Sequence, residues 1–150
     1  MSSQAPITEE EQPQTKHERC AVAAGRLVGR GQTPQDAWKE AAENVFDSEW
    51  SQVEPCPKNT FLGLCELGEI PGAQEAALGT YVRLKNGRSL AKEYAAKGLS
   101  LLRQDRSFLD RPRQLWREIV GMQENGKAKV RYNSEMHVVC ALLKAKIITL

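Results

Sequence analysis

From Lys16 to the C-terminus, apolar residues recur with the period of an α-helix, and this spacing most restricts what the chain can fold into. Cys20, Ala23, Ala24, Leu27 and Val28 follow one another at i, i+3, i+4, i+7 and i+8, which lines one face of a helix from about Lys16 to Arg30. Gly29 and Gly31 stop it. The next helix has the clearest start. Thr33 reads as the N-cap, Pro34 as the first helical residue and Asp36 as the acid facing the exposed N–H groups. Ala37, Trp38, Ala41, Ala42 and Val45 form its stripe, and the small alanines suit close approach to the first helix, giving a helical hairpin.

Residues 47–56 read as a polar connection, with Cys56 as the N-cap and Pro57 as the opening of a third helix that buries Phe61, Leu64 and Cys65. Gly68 ends that helix and Ile70 returns inward. Thr80–Leu84 reads either as a short strand or as the entry to the next element, and Asn86-Gly87 as a turn. A fourth helix, from about Ser89 to Gln104, carries Tyr94, Ala95, Leu99 and Leu102; a fifth, capped by Asp110 and opened by Pro112, carries Leu115, Trp116 and Ile119. A sixth, capped by Asn133 or Ser134, carries Met136, Val139, Cys140 and Leu143. The expected fold is all-α: five to six helices in a compact single domain over 16–150, with room for a small β-hairpin at Thr80–Leu84. Residues 1–15 form an acidic tail too polar to offset the cost of ordering, so they read as disordered. The segments Phe61–Ile70 and Val138–Ile147 echo one another: each is a short apolar helix that turns sharply and sends an isoleucine inward.

At 150 residues and 41% hydrophobic, the chain suits one globular domain. No stretch approaches the roughly 20 apolar residues of a membrane helix, and the N-terminus has no secretory pattern. Four widely spaced cysteines in a chain long enough to build a core read as reduced thiols, and the expected setting is cytoplasmic, with no membrane contact. The charge is divided. Residues 1–82 carry 6 basic and 13 acidic side chains, and residues 83–150 carry 15 basic and 6 acidic. Such a split serves either pairing between the two halves, within one molecule or head to tail, or an acidic partner of the second half.

Few constellations carry chemistry. His17 and Cys20, and His137 and Cys140, stand three apart on helical faces and are the metal candidates, but both cysteines also fit the apolar stripes, where a thiol packs as a small apolar group. Cys56 is a nucleophile candidate because a thiol at a helix N-terminus can be acidified; its base would be His17 or His137. Phosphate-loop, dinucleotide, serine-hydrolase, zincin and EF-hand patterns are absent, so neither an enzyme nor a cofactor is the default expectation. Arg103, Arg106, Arg111, Arg113, Arg117, Lys127, Lys129 and Arg131 are the candidate phosphate contacts of a nucleic-acid module, with Tyr132 as a stacking residue.

The segment Cys56-Pro57-Lys58-Asn59-Thr60-Phe61-Leu62-Gly63-Leu64-Cys65-Glu66 resembles a C-P-x-x-x-F-L-G-L-C-E segment in a family of small bacterial proteins of uncharacterised function. Asn133-Ser134-Glu135-Met136-His137-Val138-Val139-Cys140-Ala141-Leu142 is similar to that family's N-S-x-M-x-V-V-x-A-L run, and Ala37–Ala42 and Leu115–Ile119 match its two tryptophan helices. The chain departs from the family at Ala145-Lys146, where a glycine is usual, and at His137, where an acid is usual. The resemblance implies a compact helical domain in a bacterial cytoplasm and supplies no activity. Three functional expectations follow: a non-catalytic binding or regulatory module acting on a protein partner or a second copy of itself, a nucleic-acid module, and a small enzyme centred on Cys56.

Overall fold

The computed structural model describes residues 15–150. The expected tail lies outside them apart from Thr15, which caps the first helix rather than ending the tail. Its hydroxyl accepts from the Glu18 N–H and the Glu18 carboxylate accepts from the Thr15 N–H, a reciprocal capping box. The helices are α1 (Lys16–Gly29), α2 (Pro34–Val45), the single turn α3 (Glu49–Gln52), α4 (Pro55–Glu66), α5 (Leu90–Gln104), α6 (Pro112–Val120) and α7 (Glu135–Lys144), with a 3-10 turn at Arg106–Asp110. The fold is all-α, with six helices longer than one turn among the described residues. No strand forms at Thr80–Leu84. The only pairings among the described residues are isolated bridges, Lys85 with Arg88 around the Asn86-Gly87 turn and Met122 with Ala128.

Several boundaries move for physical reasons. Pro55 as well as Pro57 suits a helix start, and α4 begins at Pro55 with Glu54 as N-cap, so Cys56 is helical rather than the cap. Asp110 is absorbed by the 3-10 turn, leaving Arg111 as the N-cap of α6. Ser134 caps α7 from a left-handed backbone without a side-chain bond.

α1 and α2 form the expected hairpin, and α7 packs against α1, α4, α5 and α6. Burial follows: α4 and α7 are covered on nearly every side, as expected of helices apolar around their whole circumference. Trp38, Phe61, Leu64, Leu99, Leu102, Trp116, Met136 and Val139 lie in one continuous buried cluster, with Leu27, Val45 and Ile119 packed half-buried at its edge. Ile70 is fully buried after α4, while after α7 it is Ile148, one residue later than expected, that takes this place.

Candidate functional site

The connection 67–89 between α4 and α5 has no helix or strand, and it is longer than the roughly 12–15 residues beyond which an unstructured connection usually serves a function. One buried carboxylate anchors its second half. Glu66, the last residue of α4, has a side chain with no solvent exposure. It accepts hydrogen bonds from the backbone N–H groups of Tyr81 (2.6 Å) and Val82 (2.7 Å) and from Lys92 Nζ (2.9 Å) on α5. Burial alone would raise its pKa, but the bonds from Val82, Lys92 and Tyr81 outweigh that and hold the carboxyl below its ordinary 4.5. Lys92 reaches Glu66 because α5 crosses close to Gly63, where an added Cβ would stand 2.8 Å from the Lys92 Cα. Much of the C-P-x-x-x-F-L-G-L-C-E segment is thereby explained by packing and by this latch.

The latch presents the next residues to a cleft of about 410 Å³ between the start of α4 and the start of α5. Its walls include Cys56 and Asn59 of α4, the cations Arg83, Lys85 and Arg88, and Ser89. The Arg83 N–H donates weakly to Asn59 Oδ1 (3.4 Å). Ser89 caps α5, accepting from the Lys92 N–H at 3.3 Å, so the positive end of a 15-residue helix opens onto the cleft. Arg88 is aligned by a two-pronged pair with Glu93 (3.0 and 2.6 Å). Arg83 and Lys85 form no salt bridge with any described residue. The arrangement is suited to holding an anion. None of these three cations stood among the residues singled out from the sequence; the signal available was their density just before a strong helix start.

Cys56 lies at the cleft wall, and Asn133, from the segment before α7, acts on its thiol. Burial, then the nearby Glu135 carboxylate, and also Glu54, raise the thiol pKa, and Asn133 acts in the opposite sense. Acidification by the helix terminus is therefore outweighed. Glu135 is itself buried, which raises its own pKa, and its carboxylate accepts from the Asn133 N–H at 2.7 Å. The two segments noted in the sequence, 56–66 and 133–142, thus meet at Cys56.

The metal-candidate cysteines lie in the core and the histidines are half-buried. Cys20 and Cys140 are core residues whose thiol pKa values burial pushes up to about 12. His17 Nε2 lies 3.3 Å from Glu54 Oε2 without hydrogen-bond alignment, and the His17 ring rests near Phe46. His137 Nδ1 bonds the Tyr132 hydroxyl, which also accepts the His137 N–H at 2.8 Å. No group of three or more His, Cys, Asp or Glu among the described residues is placed to hold a metal ion.

Of the candidate phosphate contacts, Arg103 pairs with Glu69 at 3.0 Å. Arg106, Arg111, Arg113, Arg117, Lys127, Lys129 and Arg131 form no salt bridge with a described residue. Arg111 bonds Ser107 and lies over Phe108. Tyr132 is not an open stacking surface: the Arg113 guanidinium lies 5.3 Å over its ring, and the Trp116 ring packs against it.

No curated protein and no solved structure matches the chain. A family model does match, over residues 14–149, and the chain belongs to that family, DUF6979, a family of unknown function.

Proposed function

We infer that this protein is a non-catalytic binding module whose cleft between α4 and α5 takes an anionic ligand bearing a phosphate or carboxylate group. One observation carries the reading: Arg83, Lys85 and Arg88 surround a cleft of about 410 Å³ at the N-terminus of α5, and the first two have no acidic partner among the described residues. Cations at a helix N-terminus favour an anion by direct charge and by oriented N–H groups together. An activated thiol has no such support, because burial and the Glu135 and Glu54 carboxylates raise the Cys56 pKa.

The test is thermal unfolding in titrations of inorganic phosphate, pyrophosphate and a mononucleotide at constant ionic strength. A saturable rise in Tm is expected with at least one of these anions, because a ligand that binds only the folded state stabilises it. The rise should vanish in an Arg83→Ala/Lys85→Ala double variant and persist in Arg103→Ala. No saturable shift, or an equal shift in the double variant, removes the cleft as the site.

A protein partner, or a second copy of the chain, has its own support at the rim. Trp50 and Val53 are 75% and 59% exposed. Val53 lines a smaller hollow that shares Pro55, Asn59 and Arg83 with the cleft. One exposed aromatic anchor, three residues before the Val53 that lines this hollow, suits a partner segment that covers both. A mass that rises with concentration in light scattering, and falls back in Trp50→Ser, is the expected result for self-association; a constant monomer mass removes it.

A further inference from the structure

A second cationic surface lies on α6 and the loop behind it, built from residues that take no part in the cleft. We propose that this face docks the phosphate backbone of a nucleic acid without reading its sequence. Arg113, Arg117 and Lys127 converge on a hollow of about 180 Å³ whose remaining walls are Trp116, Ala128 and Tyr132. That is about six times the liquid volume of a water molecule, enough for a phosphate group with its forked guanidinium contacts. The hollow is also built to keep its shape. The buried Trp116 donates its indole N–H to the Val130 carbonyl at 2.9 Å, fastening the loop to α6. Within the loop, Gln123 N–H donates to the Lys127 carbonyl (2.7 Å) and Lys129 N–H to the Gly121 carbonyl (2.9 Å).

The positive charge is not cancelled within the described structure. Residues 103–131 carry eight basic and four acidic side chains. Of those acids, Asp110 pairs with Lys144 and Asp105 caps the 3-10 turn. Only Arg103 of the eight cations has a salt bridge to a described residue, so the surface attracts a polyanion that can engage the hollow and its surroundings together. The polar groups of the two aromatic residues in the hollow are not available for sequence readout. The Trp116 N–H and the Tyr132 hydroxyl are spent inside the protein, and Tyr132 is contacted by Arg113 and Trp116. A hollow also receives a projecting phosphate ridge, whereas base edges lie recessed in a groove.

The experiment is fluorescence anisotropy of the full chain with labelled duplex DNA and labelled single-stranded RNA, each in two unrelated sequences. Three duplex phosphate contacts predict an affinity loss of about 40-fold between about 50 and about 200 mM salt. Arg113→Ala/Arg117→Ala/Lys127→Ala should flatten that salt dependence by nearly three log units per log of salt, and the two sequences should bind within about twofold of each other. Lys127→Glu, on the exposed loop, repeats the test without disturbing the Arg113–Tyr132 contact. The Arg83→Ala/Lys85→Ala variant should bind as the unaltered chain does, which separates this surface from the cleft. The proposal is overturned by no binding at low salt or by a triple variant whose salt dependence matches that of the unaltered chain. It is equally overturned by a strong preference for one sequence, or by inorganic phosphate displacing the nucleic acid beyond its effect on ionic strength.

Discussion

α4 and α7 end in one hydrogen-bond pattern made from different side chains. After α4, Gly68 N–H donates to the Cys65 carbonyl and Glu69 N–H to that of Leu64; after α7, Lys146 N–H donates to Leu143 and Ile147 N–H to Leu142. Both are Schellman turns, and each needs a left-handed residue, Gly68 at φ 76° and Lys146 at φ 62°. Space helps explain the difference. A Cβ at 68 would stand 3.1 Å from the Glu75 Cβ, whereas Lys146 is exposed and carries its side chain at the cost of a strained backbone. The final helical residues differ more. Lys144 at the end of α7 complements the helix dipole and pairs with Asp110 at 3.1 Å, while Glu66 at the end of α4 opposes the dipole and is buried. An acid in that position is tolerated because loop N–H groups and Lys92 surround it, and those bonds hold the segment leading into the cleft.

The largest effect should come from removing that acid. Glu66→Ala strands Lys92 and the amides of Gly79, Tyr81 and Val82 and should cost about 3–5 kcal/mol in urea unfolding, whereas Lys144→Ala, which breaks a pair with an exposed partner, should cost less than about 1 kcal/mol. Equal losses would erase the contrast between the two ends. The same acid sets a pH signature. Because the folded Glu66 pKa is lowered, its contribution is present above the ordinary 4.5 and is lost as pH falls through the folded value. Glu135, with a raised pKa, acts in the opposite sense: its contribution is present below the unfolded value and is lost as pH rises through the folded one. Glu66→Gln should therefore flatten the acid limb of the stability curve, and an unchanged limb would assign the acid sensitivity elsewhere. Next in size, Gly68→Lys imposes the left-handed cost and crowds Glu75, and should lower stability by about 1–2 kcal/mol. The reverse exchange, Lys146→Gly, should raise it by about 0.5–1 kcal/mol, since the relief of strain exceeds the added freedom of the unfolded chain. A loss at Lys146→Gly would mean that its side chain does more than occupy solvent.

The helices and most of the core were legible because each wrote its own pattern. Thr33 does cap α2, accepting from the Asp36 N–H at 3.3 Å, and Ser89 opens α5. Trp38, Phe61, Trp116 and Met136 are buried as their spacing required. Leu27, Val45 and Ile119 are only half-buried, since a stripe reports which face turns inward and not how much the neighbouring elements cover. The cleft was not legible for a related reason. Arg83 and Lys85 sit in a segment without periodicity, and their placement depends on a carboxylate lying 16 residues before Val82. Glu66 looks like any polar residue near a helix end unless its conflict with the dipole is noticed. Cys56 was legible as a position beside a helix start but not in its chemistry, because Glu135 and Asn133 reach it from the far end of the chain.

The Glu66 latch also gives the connection 67–89 an unusual position in hydrogen exchange. Amides outside helices and strands ordinarily trade their hydrogens with water quickly, yet the Tyr81 and Val82 N–H groups end on a carboxylate that solvent does not reach. Their deuterium uptake should follow the opening of this one contact rather than the unfolding of a helix. Two amides in an irregular segment would then time how often the cationic wall of the cleft comes loose from α4.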